Sequence, residues 1–599
     1  MAKKFIDLMD TTFRDGFQSV FGGRVLLNDF LPAVEVAKEA GITHFEFGGG
    51  ARFQVPFFYL NENAFDNMDT FRQIVGPDVN LQTLARGVNT VMLDTGSREL
   101  VDLHAKMFKK HGTTTIRNFD ALNDVNNLID SGRSITDHGL KHEVCVTIMD
   151  LPPGCEGAHT VEFYEKILRQ ILDAEIPYDS VCFKDATGTA SPQKVYDTIK
   201  MAKRLLPEGT HVRLHTQETA GISVSQNLAA LEAGADGIDA AASPVSGGTS
   251  QPDILVMMHA IKGKAYDFGF DFEKVLKYEK TLKECLNDYF LPPEATMVEP
   301  LIQFSPMPGG ALTANTQMLR DNNMLDKFPD AILAMREVVE KGGYGTSVTP
   351  VSQFYFQQAL NNVMMGPWKQ IAPGYGKMVL GYFGKTPVEP DSEIVKIASE
   401  KLGLEPTTEK AIDLADKDEK KSIAYWTKRL EEEGIETSEE NVFIAAACDE
   451  KGITFLKGEA EVNVRKLSQM QQEESTSMAS AAGSYTVVVD GQKFNVQVAE
   501  GNVEIQVSES AAQAAAAPEA SAAPAMAGEG EEIKALLPGN VWKIIANPGQ
   551  SVNEGDKIMI LESMKMEIDV VAPRGGVVQS INVNVNDKVV EGQVVAVLG

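Results

Sequence analysis

The chain has 599 residues, 43% hydrophobic and 23% charged, with 50 glycines and a formal net charge of −29. That length exceeds what a single core organises, so several domains are expected. The acidic balance excludes non-specific binding to nucleic acid or to an anionic membrane surface, both of which need basic patches.

Five cysteines (Cys145, Cys155, Cys182, Cys285 and Cys448) form no CxxC pair and read as reduced thiols rather than a disulfide framework or zinc ribbon. The first residues run directly into a strand-like segment without an apolar signal core. No stretch of about 18 apolar residues is present. A cytoplasmic location is expected, or docking onto a membrane subunit.

Along the first 250 residues, strand-like apolar runs alternate with amphipathic helical stretches. The strand candidates are 5–12, 42–48, 80–86, 113–119, 143–150, 179–185, 211–216 and 237–242. Most are followed by a helix, such as 29–40 or 223–233. Eight such units predict an α/β fold, a (β/α)8 barrel over residues 1–270. The first strand is followed by DTTFRDGFQS, which offers no Gly-rich phosphate turn for a doubly wound sheet. Polar residues crowd the strand ends: Asp10 and Asp15, Glu46, Arg86, Arg117 and Asp120, Lys184 and Asp185, His215 and Glu218, and 246–251. That rim is where a barrel collects its chemistry.

Residues 271–466 turn mainly helical, with helices at 272–286 and 328–341, and are expected to complete the site at the barrel mouth. Residues 467–510 read as a tether plus a small β segment, with strands 484–489 and 493–499 joined at Asp490-Gly491. Residues 511–531 are nearly all Ala, Pro, Gly, Ser and Glu, and cannot build a core. A coil of that length spans on the order of 25 Å, the layout of a swinging carrier.

The last segment, 532–599, carries a duplication. Gly539, Val541, Ile544, Val552, Glu554, Gly555, Ile558, Ile560 and Leu561 recur 37 positions on as Gly576, Val578, Ile581, Val589, Glu591, Gly592, Val595, Val597 and Leu598. Between the halves lies ESMKME, 562–567, which places Lys565 at a joint between β-rich stretches. This resembles the all-β biotinyl (hammerhead) domain of biotin-dependent carboxylases, decarboxylases and transcarboxylases, with Met564 and Met566 favouring biotin over lipoate. The resemblance implies covalent biotin on Lys565 and a biotin protein ligase to attach it.

The barrel motifs are TTFRDGFQS (11–19), LARGVN (84–89), NFDALND (118–124), FKDATG (183–188), LHTQETAG (214–221), SGGTSQP (246–252), MPGGALT (307–313) and VTPVSQ (348–353). They resemble the carboxyltransferase family that includes pyruvate carboxylase and the oxaloacetate decarboxylase α subunit, related to the transcarboxylase central subunit. The resemblance implies carboxyl transfer between carboxybiotin and a 2-oxo acid, pyruvate to oxaloacetate. It implies catalytic roles for Thr349, which shuttles a proton, and for Arg14 and Lys184, and substrate binding by Gln18 and Arg86. It also implies a divalent metal (Zn2+, Mn2+, Co2+ or Mg2+) on Asp15, on Lys184 as a carbamate, and on His215.

Two positions depart from the family pattern. Gln217 stands where a second histidine ligand is usual. Its carbonyl could ligate and shift the site toward Mn2+ or Mg2+, Glu218 or water could fill the gap, or the metal could be lost. In FGGGARFQ (47–54), Gly48, Arg52 and Gln54 replace Trp, Thr and Asp. These are either adjusted packing or, for Arg52, a substrate-binding cation that reads an extra anionic group. No ATP-binding carboxylase region is evident, so the chain is expected to be the carboxyltransferase and carrier half of a two-subunit pyruvate carboxylase. Its expected partner is a separate ATP-dependent biotin carboxylase subunit, in a multi-subunit assembly with this chain as a homo-oligomer. The alternatives are the α subunit of a Na+-pumping oxaloacetate decarboxylase with membrane subunits, another acceptor such as 2-oxoglutarate, or an inactive carrier scaffold.

Overall fold

The computed structural model describes residues 3–470, 483–489, 492–498, 530–535, 539–563, 566–590 and 592–599. Residues up to Ser468, apart from 321–323, form one compact unit, and the remainder belongs to a second.

Eight parallel strands close into a barrel in sequence order: β1 (Asp7–Asp10), β2 (His44–Gly49), β3 (Asn80–Ala85), β4 (Thr115–Asn118), β5 (Lys141–Thr147), β6 (Ser180–Asp185), β7 (His211–Thr216) and β8 (Gly237–Ala240). The seam is made by β1 on β8, with Asp7 beside Gly237 and Asp10 beside Ala240. All eight expected strands are present. The expected ends run past the paired residues, because apolar character continues into the loops after the ladder stops.

The barrel helices begin where the sequence supplies caps. Asn63, Ser97, Thr160, Ser191 and Asp253 each accept a backbone N–H of the first turn with their side chains, satisfying donors that a helix start leaves free. After the barrel come helices Phe272–Cys285, Gly309–Asp321, Phe328–Lys341, Val351–Met365 and Glu439–Leu456. The last is kinked at Asp449, whose φ is 54°. Its Phe443 and Phe455 pack on Phe53 and Phe57 at ring separations of 5.6 and 4.9 Å. The extension therefore shares the core of the barrel's first units.

The barrel interior departs from the usual layers of branched aliphatics. It holds a ladder of charges: Asp7 with His44 and Arg213, then Arg213 and Arg117 on Asp239, with Arg117 also on Glu143 at 2.6 Å. Arg14 tops it, contacting Glu46 at 2.5 Å and Asp15 at 2.8 Å. Buried charges persist only when paired and hydrogen-bonded, and these are.

In the second unit, Gly483–Val489 and Gln492–Val498 pair as an antiparallel hairpin; the expected turn, Asp490-Gly491, lies outside the described residues. Eight further strands form two four-stranded sheets. One joins Glu531–Lys534, Val594–Leu598, Gly576–Ile581 and Ser551–Val552; the other joins Met566–Val571, Lys557–Ser563, Gly539–Ile544 and Lys588–Val589. A shift of 37 residues carries Gly539–Ile544 onto Gly576–Ile581 and Ser551–Val552 onto Lys588–Val589. The duplicated sequence therefore builds two like sheets.

Candidate active site

The β1 strand ends in a single wide, π-type helical turn, Thr12–Gly16, that presents Arg14 and Asp15 to the barrel mouth. Lys184 ends β6, His215 and Thr216 end β7, and Arg86 follows β3. Arg14, Asp15, Gln18, Arg86, Lys184, Gln217 and Thr349 all line one cavity. Leu84, Phe119, Ala186, Pro308, Ala311 and Val348 supply apolar wall. Thr349 comes from the loop before helix Val351–Met365, and Pro308 and Gly310 from the start of helix Gly309–Asp321, so the extension closes the mouth.

Arg86 has no carboxylate partner among the described residues. It is buried, NH1 donates to the carbonyls of Val91 and Met92 at 2.9 and 3.3 Å, and Nε has no partner. Burial, with the charge of Arg14, pushes it down to about 10. A guanidinium that faces a cavity with only carbonyls for company is a seat for an anion.

His215 lies fully buried behind the wall. Its Nδ1 is 2.8 Å from Asp239 Oδ2, and its unpartnered Nε2 is 3.4 Å from Asp15 Oδ2. Burial and the Lys184 charge hold its pKa down to about 4. Burial would raise Asp15, but Arg14, Lys184 and His215 hold it well below the usual carboxylate range. Burial likewise lowers Lys184, which Asp15 opposes and Arg14 and Arg117 reinforce.

Gln217 reaches Asp15 with its nitrogen: Nε2 donates to Oδ2 at 3.1 Å, while Oε1 accepts from the Gly309 N–H at 2.6 Å. Gln251 Nε2 donates to the same Asp15 oxygen at 2.5 Å. Arg14 NH1 takes Oδ1 at 2.8 Å. Among the described residues no group of three His, Cys, Asp or Glu side chains could hold a metal ion. Asp15 Oδ2 is taken by two amide donors and Oδ1 by Arg14, and Gln217 turns its nitrogen rather than its oxygen toward Asp15, so the four residues in this arrangement do not present the donor set of a divalent-ion site.

Arg52 is not brought to this cavity. Its NH1 donates to the carbonyls of Gly23 and Val25 at 2.6 and 2.8 Å, and it borders a separate, largely apolar hollow that includes Phe30, Phe47, Phe53 and Phe71. Gln54 donates to the Ala447 carbonyl at 2.8 Å, two residues before the kink at Asp449. Asp185 organises its own loop, accepting from the backbone of Thr187, Gly188 and Ala190. Sequence reading missed Asp239, Glu143 and Arg213 as partners of the site. The available signal was alternation: Arg213 stands two residues before His215, on the same inward face of β7.

Lys565 and Met564 lie outside the described residues. The strands on either side pair antiparallel up to Ser563 with Met566.

A closed barrel with a charged rim cavity, on a chain that also carries a duplicated β domain, fits an acid-handling transferase with a built-in carrier. Comparison with known proteins agrees. Residues 302–498 match the family described as "Conserved carboxylase domain", and 525–598 match "Biotin-requiring enzyme". The chain belongs to the biotin-dependent carboxyltransferases, and it is an enzyme of that class with its own biotin carrier domain.

Among individual relatives, it is 30% identical over 576 residues to a pyruvate carboxylase subunit of Methanothermobacter thermautotrophicus, covering 94% of both chains. It is 28% identical to the "2-oxoglutarate carboxylase large subunit" of Hydrogenobacter thermophilus, over 95% of this chain and 91% of that one. The carboxyl transferase domain of Rhizobium etli pyruvate carboxylase, solved with pyruvate and biocytin, superposes with a TM-score of 0.70 at 23% identity. That superposition covers 76% of this chain and 78% of that one, a likeness of fold. Among the described residues no helix is long and apolar enough to cross a membrane.

Proposed function

We propose that the chain transfers a carboxyl group between biotin on Lys565 and pyruvate, forming oxaloacetate, as the carboxyltransferase and carrier subunit of a two-subunit pyruvate carboxylase. Arg86 carries the reading: a buried cation with no carboxylate partner faces a small, partly apolar cavity, which suits one carboxylate and a methyl group. Arg52, held away by the Gly23 and Val25 carbonyls, offers no seat for a second carboxylate at this wall. Pyruvate is therefore favoured over 2-oxoglutarate. The partner is a separate ATP-dependent biotin carboxylase, in keeping with full-length relatives that are each named as one subunit of a pyruvate carboxylase.

Biotin, when attached, supplies the ureido nitrogen that carries the carboxyl group. Arg86 holds the substrate carboxylate through its guanidinium, with Gln18 beside it. The apolar side chains of Leu84, Phe119, Ala186 and Val348 keep water from the methyl group. The Thr349 hydroxyl holds and passes the methyl proton. The Arg14 guanidinium and the Lys184 amine face the oxygen on which negative charge develops, the preorganised electrostatic help that lowers such barriers. No step of this reading passes through a metal ion.

Isotope exchange tests it without any partner. The biotinylated chain is expected to exchange label between pyruvate and oxaloacetate far faster than between 2-oxoglutarate and oxalosuccinate. Preference for the second pair would overturn the substrate assignment.

A further inference from the structure

The family pattern places a divalent ion at Asp15, and the side chains here hold Asp15 in hydrogen bonds instead. Asp15 Oδ2 already receives two amide donors, from Gln217 at 3.1 Å and Gln251 at 2.5 Å, and Oδ1 receives Arg14. The neighbours of each amide set its orientation. Turning Gln217 over would set its NH2 against the Gly309 N–H, donor on donor at 2.6 Å, and its oxygen against the Asp15 carboxylate. Gln251 is fixed likewise, since an oxygen 2.5 Å from a carboxylate oxygen would be repelled.

Gly309, which Gln217 holds, is itself closely packed. A Cβ there would fall 1.7 Å from the Thr249 carbonyl oxygen, so the helix start is pressed against the barrel rim. Carbamylation of Lys184 would add a carboxylate-like group, yet Asp15 would keep its two amide donors and Arg14, and Gln217 would still present nitrogen.

The geometry points to a metal-free carboxyltransferase centre, in which Gln217 and Gln251 occupy the positions on Asp15 that an ion would take, and Gln217 ties Asp15 to the start of helix Gly309–Asp321. Gln217 and Gln251 are positioning residues: they aim Asp15, and through it Arg14, into the cavity. The positive charge an ion would bring is left to the guanidinium groups of Arg14 and Arg86, with the Lys184 amine beside them.

This rests on the proposed function only for the use of the cavity, because metal content can be measured whatever the substrate. The full biotinylated chain, purified without chelator from medium containing Zn2+, Mn2+, Co2+ and Mg2+, is expected to carry less than about 0.1 ion per chain by elemental analysis. Its melting temperature should move by less than about 1 °C with EDTA or with added Mn2+ or Zn2+, since a tightly bound ion would raise it. Near one ion per chain would overturn the proposal.

A Gln217→His chain supplies the control. It restores an imidazole donor and removes the tie to Gly309, and it is expected to take up ion and gain several degrees with Mn2+ or Zn2+. If it stays as ion-free as the parent, Gln217 is not what excludes the metal, and the assignment of the amides fails.

Discussion

Arg86 and Arg52 form a matched pair that isolates what facing the cavity is worth. Both are buried, each donates through NH1 to two backbone carbonyls, and burial pushes each down to about 10. They differ in that only Arg86 lines the cavity. Replacing either with Met therefore strips comparable structural bonds, and any difference in catalysis measures contact with substrate. Under the proposed function the Arg86 guanidinium makes two hydrogen bonds to the substrate carboxylate, and a hydrogen bond to a charged group contributes about 1.5–3 kcal/mol. Losing two at the low end removes about 3 kcal/mol, which is roughly 10²-fold in kcat/KM.

The assay is label exchange between pyruvate and oxaloacetate across a substrate range, with circular dichroism and thermal melts to confirm folding. Arg86→Met is expected to lose about 10²-fold or more in kcat/KM, and Arg52→Met to stay within about threefold. Equal losses in the two variants would refute the reasoning, as would an Arg86→Met change below about threefold.

Thr349→Ala is expected to slow exchange by roughly 10²–10⁴-fold in kcat with little change in KM, the range of a positioned acid–base group, while Thr349→Ser keeps most activity; steady-state kinetics of both variants decide. Gln54→Leu should lower stability by about 1–3 kcal/mol in urea unfolding, because the Ala447 carbonyl near the helix kink loses its donor; the KM for pyruvate should not move. Acid stability should report Glu143. Burial would raise it, but Arg117 and Arg213 hold it down to about 2 from 4.5. A depressed carboxylate stabilises the fold fully above its unfolded pKa, and that contribution is lost as pH falls from about 4.5 toward 2, on the order of 3 kcal/mol. Unfolding midpoints between pH 6 and 2 should fall in the parent chain, and Glu143→Gln should flatten that part of the curve.

The strands and the carrier duplication were legible because each rests on local pattern: alternating runs of several residues, and a repeat at constant offset. The rim residues were legible as a set because strand ends of a parallel barrel converge by construction. What stayed hidden depends on partners distant in sequence. Arg52 is spoken for by carbonyls 27 and 29 residues back, Gln54 by one 393 residues ahead, and Gln217 by a backbone N–H 92 residues ahead. No window along the chain reveals such partners, so a cavity-lining arginine and a packing arginine read alike. Asp239 escaped because β8 is only four residues long, too short to display its alternation.

The central claim is that this chain by itself moves a carboxyl group to and from a 2-oxo acid by way of Lys565. The most direct test is exchange of label between pyruvate and oxaloacetate by the biotinylated chain and by a Lys565→Arg chain, with streptavidin blotting of both. The account predicts exchange and a biotin signal in the first and neither in the second. Exchange that persists in the Lys565→Arg chain, or its absence from a fully biotinylated parent, would contradict it.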